Sequence, residues 1–204
     1  MTLPNSLTIL RIILTPIFVA LLVSDSPIYK RISLIVYVIA ALTDWYDGWI
    51  ARKYGYTTRW GKFMDPLADK ILSASALFSF VYLELIDAWP VWIIVIRDFI
   101  ITALRSYAEW IGQPIVTSRT AQAKTLGEYI VIYYILFLYI GKTFQDVYVN
   151  YKEYIDTLTQ PEVLFGMVLL VALSATGTGI LYLFDNRNLL YGLYAKFVKT
   201  SQSK

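Results

Sequence analysis

The stretch Asp44-Trp45-Tyr46-Asp47-Gly48-Trp49-Ile50-Ala51-Arg52, continued through a polar interval to Gly61-Lys62-Phe63-Met64-Asp65-Pro66-Leu67-Ala68-Asp69, decides how the chain is read. It sets Asp44, Asp47, Asp65 and Asp69 next to or between long apolar runs. An Asp near the middle of a membrane helix costs roughly 2.5–3.5 kcal/mol on insertion scales. Four together cost on the order of 10 kcal/mol before their mutual repulsion is counted. A divalent cation bound in a water-filled cavity offsets such a cluster directly. The stretch therefore reads as a metal-dependent active site at a membrane face.

The rest of the composition agrees. The 204 residues are 57% hydrophobic and 16% charged, with a mean hydropathy of +0.55. That is too apolar for an ordinary soluble domain. Cys and His are both absent, which excludes disulfides, thiolate sites, His-based triads and zinc sites of the usual kind. Any metal must then be held by oxygen, which favours Mg²⁺, Mn²⁺ or Ca²⁺. A net charge of +3 gives no argument for nucleic acid as a partner.

Six apolar segments run approximately over 7–23, 32–50, 66–85, 89–111, 125–141 and 163–184. Their continuity, without period-2 alternation, predicts membrane helices rather than barrel strands. Leu3 to Thr8 reads as a short interfacial lead-in with Asn5 or Ser6 as N-cap. The run Ile9–Val23 contains Arg11 and lacks an A-x-A-like cleavage site, so it is expected to be the first membrane helix rather than a cleaved leader. With the N-terminus inside, Arg52, Lys53, Arg59, Lys62, Lys70, Arg105, Arg119, Lys124 and the basic tail share one side with Arg11, against Lys30, Arg31, Lys142 and Lys152 outside. That bias puts both termini and the Asp stretch in the cytoplasm. The six tryptophans near predicted segment ends read as an interfacial belt. Lys142 to Glu162, with Tyr148, Tyr151 and Tyr154, reads as a solvated connector in preference to a short surface helix. One catalytic domain over 1–204 is expected.

At ~100° per residue, Asp44, Asp47, Gly48 and Ala51 share a narrow sector of one helix, with Arg52 at its edge. The small residues there let a ligand approach the backbone. Asp65 and Asp69 are one turn apart, with Pro66 suited to a first helical turn. Two helix ends joined by the polar hairpin Lys53–Met64 would converge the four carboxylates. Such a set suits two-metal chemistry on a phosphate anhydride, with Arg52 as a phosphate contact and one carboxylate as proton acceptor. The rival readings are structural ion pairs with Arg52, Lys53, Lys62 and Lys70, a divalent-cation transporter, and a non-catalytic membrane assembly protein.

The spacing Asp44-x-x-Asp47-Gly48-x-x-Ala51-Arg52, eight residues, Gly61, three, Asp65, three, Asp69 resembles the complete motif of the CDP-alcohol phosphatidyltransferases. Pro4-Asn5 with Leu7-Thr8 and Arg11, Thr57 to Phe63, Asp65 to Lys70, and Ile96-Arg97-Asp98 with Leu104-Arg105 extend the similarity to the family's bacterial phosphatidylglycerophosphate synthase branch. The resemblance implies an all-α, six-helix, usually homodimeric integral membrane enzyme of the bacterial inner membrane, with a cavity open to cytoplasm and lipid. It implies that Asp44, Asp47, Asp65 and Asp69 hold Mg²⁺ or Mn²⁺, two ions, and that Asp69 is also the base. It implies that Asp44, Asp47, Gly48, Ala51, Arg52 and Gly61 hold CDP. The implied reaction joins CDP-diacylglycerol to sn-glycerol 3-phosphate and releases CMP.

A phosphorylated acceptor needs further cations, and Arg105, Arg119 and Lys124, with Arg97, are expected to supply them. The alternative is that Arg97–Asp98 and Arg105–Glu109 merely neutralise one another. One departure bears on this. Where synthases of the branch carry Ser-x-x-Gly-Lys-x-Lys-Thr, this chain reads Ser118-Arg119-Thr120-Ala121-Gln122-Ala123-Lys124-Thr125, with one Lys lost and Arg119 as a candidate replacement. Phosphatidylglycerol, serine or an inositol derivative stay open as acceptors.

Overall fold

A computed structural model describes residues 3–54, 59–110 and 119–187. All regular structure among them is helical: α1 (Leu3–Val23), α2 (Pro27–Tyr54), α3 (Arg59–Tyr82), α4 (Ala88–Trp110), α5 (Arg119–Gly141), α6 (Gln145–Leu158) and α7 (Pro161–Asp185). Each of the six expected apolar segments falls on one of the long helices. Those helices extend further into the polar flanks than the hydropathy pattern indicates, because a polar residue at a helix end still makes its backbone hydrogen bonds.

Three expectations change accordingly. The ends of the expected hairpin Lys53–Met64 are helical, since α2 continues to Tyr54 and α3 has begun by Arg59, and residues 55–58 between them lie outside the described residues. Pro66 lies inside α3 rather than in its first turn. There it removes the amide that would pair with the carbonyl of Lys62. At the N-terminus the helix has already started at Leu3, which places Asn5 and Ser6 within it instead of capping it; Pro4 is tolerated because first-turn amides have no helical partner.

The connector between the last two long helices is a helix too, contrary to the solvated-connector reading. α6 buries Ile155 against the bundle and leaves Val147, Tyr151, Tyr154 and Leu158 exposed. Non-helical dihedrals at Tyr151 bend it. Lys142 Nζ lies 3.1 Å from Asp156 Oδ1, and Tyr148 donates to the same carboxylate. The Lys142 contact holds the Asp156 carboxyl below the usual carboxylate range. Arg31 at the start of α2 closes the same end of the molecule by donating from Nε to Thr143 Oγ1 at 3.1 Å and stacking on Phe144.

α3 is the central element and touches α1, α2, α4 and α5. α1 packs along both α2 and α3, which meet each other only slightly. α4 and α5 each pack on α7. The turn after α3 is closed by Glu84 in the left-handed region (φ 57°), with Leu85 N donating to Phe80 O and Glu84 N to Val81 O. That is the hydrogen-bond pattern that satisfies terminal helix carbonyls. The core joins Phe18, Tyr37, Leu77, Phe80, Ile94, Ile132, Leu136 and Val168, all essentially solvent-free.

The polarity of the bundle is inverted relative to a soluble protein. Arg11, Asp98, Lys124 and Glu128 are buried, while Ile13, Ile35, Leu42, Ile100, Ile130, Phe137, Leu170 and Leu173 face outward. Apolar residues outside and paired charges inside fit a lipid surrounding. Ser6–Val23, Gln122–Gly141 and Pro161–Asp185 are each long and apolar enough to cross a bilayer. The protein is an all-α integral membrane protein.

Ile132 is fully buried on α5, whereas Ile130 on the same helix is 56% exposed. Ile132→Ala is expected to lower stability by about 2–5 kcal/mol, and Ile130→Ala by less than about 0.5 kcal/mol. Unfolding of the two variants in mixed micelles measures the difference.

Candidate active site

The acids of α3 are held by hydroxyls that come from different helices. Asp65 and Asp69 stand on consecutive turns, both half-buried. Thr8 of α1 donates its hydroxyl to Asp65 Oδ1. Tyr129 of α5 donates its phenol to Asp69 Oδ1. Arg11, one turn after Thr8 and fully buried, has Nε 3.4 Å from the carbonyl of Ala40 on α2. Its charge acts on Asp65. Arg11 is therefore a buried counter-charge to the acid turn.

α2 carries Asp44, Asp47, Gly48, Ala51 and Arg52 within its helical span. The two acids precede the end of that helix by more than a turn and are not at its terminus. Their side chains, with that of Arg52, lie outside the described residues. Gly61 is buried near the start of α3. The four carboxylates would supply oxygen only, and the chain contains no thiolate or imidazole ligand, so the donor set suits hard divalent cations. Asp65 and Asp69, the two of these acids whose side chains are described, are neither fully buried nor fully exposed.

Behind the acid turn is a charge cluster drawn from three helices. Lys124 Nζ donates to Asp98 Oδ1 at 2.6 Å and to Glu128 Oε2 at 2.7 Å, with no exposure of its side chain. Lys70 Nζ lies 2.9 Å from Asp98 Oδ2 and 3.7 Å from Glu128 Oε2. The first of these contacts is close but off the angle of a hydrogen bond. Arg97 adds Nη1 at 3.0 Å from Asp98 Oδ1, Nε at 3.1 Å from the Ala175 carbonyl and Nη2 at 2.9 Å from Thr178 Oγ1. Gly179 makes room for this arginine: a Cβ there would sit 3.1 Å from Arg97 Cγ.

The expected acceptor cations therefore separate. Arg97 and Lys124 are committed to Asp98, and Lys124 also to Glu128. Arg105 is exposed, and its charge acts on Tyr182 of α7. Arg119 opens α5, with its side chain outside the described residues. Lys70, considered as a partner for the Asp stretch, pairs with Asp98 and Glu128 instead. Thr8, Tyr129 and Glu128 are the residues that sequence reasoning gave no role. Only Lys124–Glu128 has a local signal, its i,i+4 spacing; Thr8–Asp65 and Tyr129–Asp69 join residues far apart in the chain.

A hollow of about 590 Å³ lies between the last turns of α1 and α3, lined by residues such as Val19, Val23, Phe78 and Tyr82. Another of about 410 Å³ opens sideways between α4 and α7 beside Arg97 and Gly179. Both are mostly apolar, and neither includes Asp65 or Asp69.

Comparison with known proteins adds an independent finding. Residues 1–178 match the sequence profile of CDP-alcohol phosphatidyltransferase. The chain is 35% identical over 142 residues to the CDP-diacylglycerol–glycerol-3-phosphate 3-phosphatidyltransferase of Bacillus subtilis, covering 64% of this chain and 74% of the relative. It is 34% identical over 123 residues to the protein of that name from Rickettsia typhi, covering 60% and 69%. With the one from Salmonella paratyphi A it shares 33% over 139 residues, covering 65% and 75%.

Asp98 faces Lys70, Lys124 and Arg97 together. Asp98→Asn is expected to destabilise the protein by about 3–5 kcal/mol, because removing one partner leaves buried charge uncompensated. Denaturation of wild type and variant in the same detergent checks this.

Proposed function

Because this chain belongs to the CDP-alcohol phosphatidyltransferase family, and is thus an enzyme of phospholipid synthesis, we propose that it transfers a phosphatidyl group from CDP-diacylglycerol to sn-glycerol 3-phosphate. The products are phosphatidylglycerophosphate and CMP. The observation that carries the choice of acceptor is the 33–35% identity to relatives named for that reaction, over most of their length.

In this reading Asp69 accepts the proton of the acceptor hydroxyl. The acceptor oxygen bonds to the β-phosphorus of CDP-diacylglycerol, the bond from that phosphorus to the bridging oxygen breaks, and CMP leaves with the electron pair. Asp44, Asp47, Asp65 and Asp69 would hold two divalent ions, Mg²⁺ or Mn²⁺, which when bound neutralise charge on the pyrophosphate and the departing nucleotide. Gly48, Ala51 and Gly61 leave space for the CDP group, and Arg52 offers a bidentate phosphate contact. Thr8 and Arg11 keep Asp65 in place.

Arg105 and Arg119 are the direct acceptor-phosphate contacts of this proposal. Lys124 and Arg97 reach a phosphate only by sharing protons already given to Asp98 and Glu128. Their commitment, with Ala121 and Gln122 in place of Gly and Lys, favours one second reading: an acceptor without a phosphate monoester, such as serine or an inositol derivative.

The proposed setting is a homodimer of one catalytic domain in the bacterial inner membrane. α2, α3 and α4 would span alongside α1, α5 and α7. At ~1.5 Å per residue the shortest of them, the 23-residue α4, reaches about 35 Å, enough for a hydrocarbon core of about 30 Å. The distribution of Lys and Arg supports acid turns and both termini on the cytoplasmic side.

Purified protein given CDP-diacylglycerol, Mg²⁺ or Mn²⁺ and a panel of alcohols is expected to release CMP most rapidly with glycerol 3-phosphate. Chelation should stop the release. Preference for serine or an inositol derivative selects the second reading, and absence of CMP release with every alcohol refutes both. Asp69→Asn should lower turnover by at least ~10²-fold with CDP affinity largely retained. Arg105→Ala should raise KM for glycerol 3-phosphate by about tenfold without a comparable change for CDP-diacylglycerol.

A further inference from the structure

A carboxylate used to accept a proton must present one oxygen along a narrow approach, yet the terminal torsion of Asp is broad and roughly two-fold. Something has to choose its rotation. Tyr129 is placed to do so, since its hydroxyl donates to Asp69 Oδ1. Asp69 Oδ2 makes no hydrogen bond among the described residues.

The phenol is also delivered in a fixed register. Glu128, the residue before Tyr129, takes Lys124 at 2.7 Å and Lys70 at 3.7 Å, and Lys70 is the residue after Asp69. The ion pairs thus join the same two helical turns that the phenol joins. A donor on a packed helix, held by charge pairs one residue away, loses little freedom when it makes a charge-assisted bond. Tyr129 is itself only partly buried, whereas Glu128 beside it is buried.

We propose that Tyr129 is a positioning residue for the reaction: by donating to Asp69 Oδ1 it orients Asp69 so that Oδ2 is presented to the acceptor hydroxyl. Thr8 makes the equivalent bond to Asp65 from α1, but on an acid that is not the base, and so provides an internal comparison. The inference rests on the phosphatidyltransferase reading and on Asp69 as its base.

The test compares wild type, Y129F and T8V in detergent. CMP release is measured at saturating CDP-diacylglycerol and glycerol 3-phosphate, together with CDP affinity, Mn²⁺ affinity by electron paramagnetic resonance, and melting temperature. Y129F is expected to lose about tenfold or more in kcat, the loss corresponding to one hydrogen bond to a charged group. KM for CDP-diacylglycerol and Mn²⁺ affinity should stay within about twofold of wild type, and the melting temperature should barely move. T8V should lower kcat less than Y129F does. A kcat for Y129F within about twofold of wild type overturns the proposal. So does a loss of rate that is matched by a loss of melting temperature or of nucleotide affinity, since a purely structural role would produce it. Should Y129F not fold, Tyr129→Gln, which keeps a donor, must retain more activity than Tyr129→Leu; equal loss overturns the assignment. A wild type that releases no CMP refutes the functional reading and this proposal together, whereas an active wild type with an unaffected Y129F refutes the positioning role alone.

Discussion

A charge inside a bundle surrounded by hydrocarbon has to find its opposite within that bundle, and this protein concentrates the requirement on Asp98. Two lysines and an arginine from three helices converge on its two oxygens, with Glu128 as the second acid. Buried ion pairs of this kind seldom contribute much net stability, because desolvation offsets most of the attraction. Their effect is to disfavour alternatives. A slip of α5 by one residue would move Lys124 off Asp98 and carry Glu128 away from Lys70. Register, more than stability, is what the cluster secures.

The acid turn of α3 depends on that register. α1 lies along α2 and α3 and brings Thr8 and Arg11 to Asp65, while α5 brings Tyr129 to Asp69. The carboxylates are thereby held by two different helices, one packed by apolar contacts and the other tied by charge. Preorganisation of this sort lets acid side chains act on a substrate without first being gathered from solvent. Family membership also sets aside the transporter and assembly readings. The outward placement of Ile and Leu and the inward placement of Arg11, Asp98 and Lys124 agree with an enzyme that works where lipid meets water.

Much of this was readable before any coordinates. Long apolar runs translate into helices because backbone groups in lipid have no other partner; each of the six falls on a helix, and three of those helices are long and apolar enough to cross a bilayer. The spacing from Asp44 to Asp69 identified the family by itself. Three kinds of feature were not readable. Helix ends were missed because polar residues such as Arg59 and Lys62 continue a helix as well as they leave one. α6 was missed because its apolar residues are interleaved with Lys152, Glu153 and Asp156, which suggests a connector unless the helical period is followed through. Above all, partners distant in the chain leave no periodic trace. Nothing local in Leu7-Thr8-Ile9 points to Asp65, and nothing around Tyr129 points to Asp69. Lys124 shows the same limit from the other side: as an isolated cation it reads as a ligand for phosphate, and although Glu128 stands one turn away on the same helix, only the neighbouring α4 shows that Asp98 holds it as well.

The charge cluster also bears on how the protein is made. Lys70, Arg97 and Asp98 belong to α3 and α4, which leave the ribosome before α5 exists. During that interval Asp98 is the only one of the cluster's two acids present to oppose Lys70 and Arg97. Lys124 and Glu128 then arrive one turn apart on a single helix, so α5 can enter the bilayer as a self-neutralised unit and afterwards extend its pairing to Asp98 and Lys70. The chain order of the helices is thus also an order of neutralisation during biogenesis, with the nascent protein never obliged to bring an unaccompanied ion of α5 into the membrane.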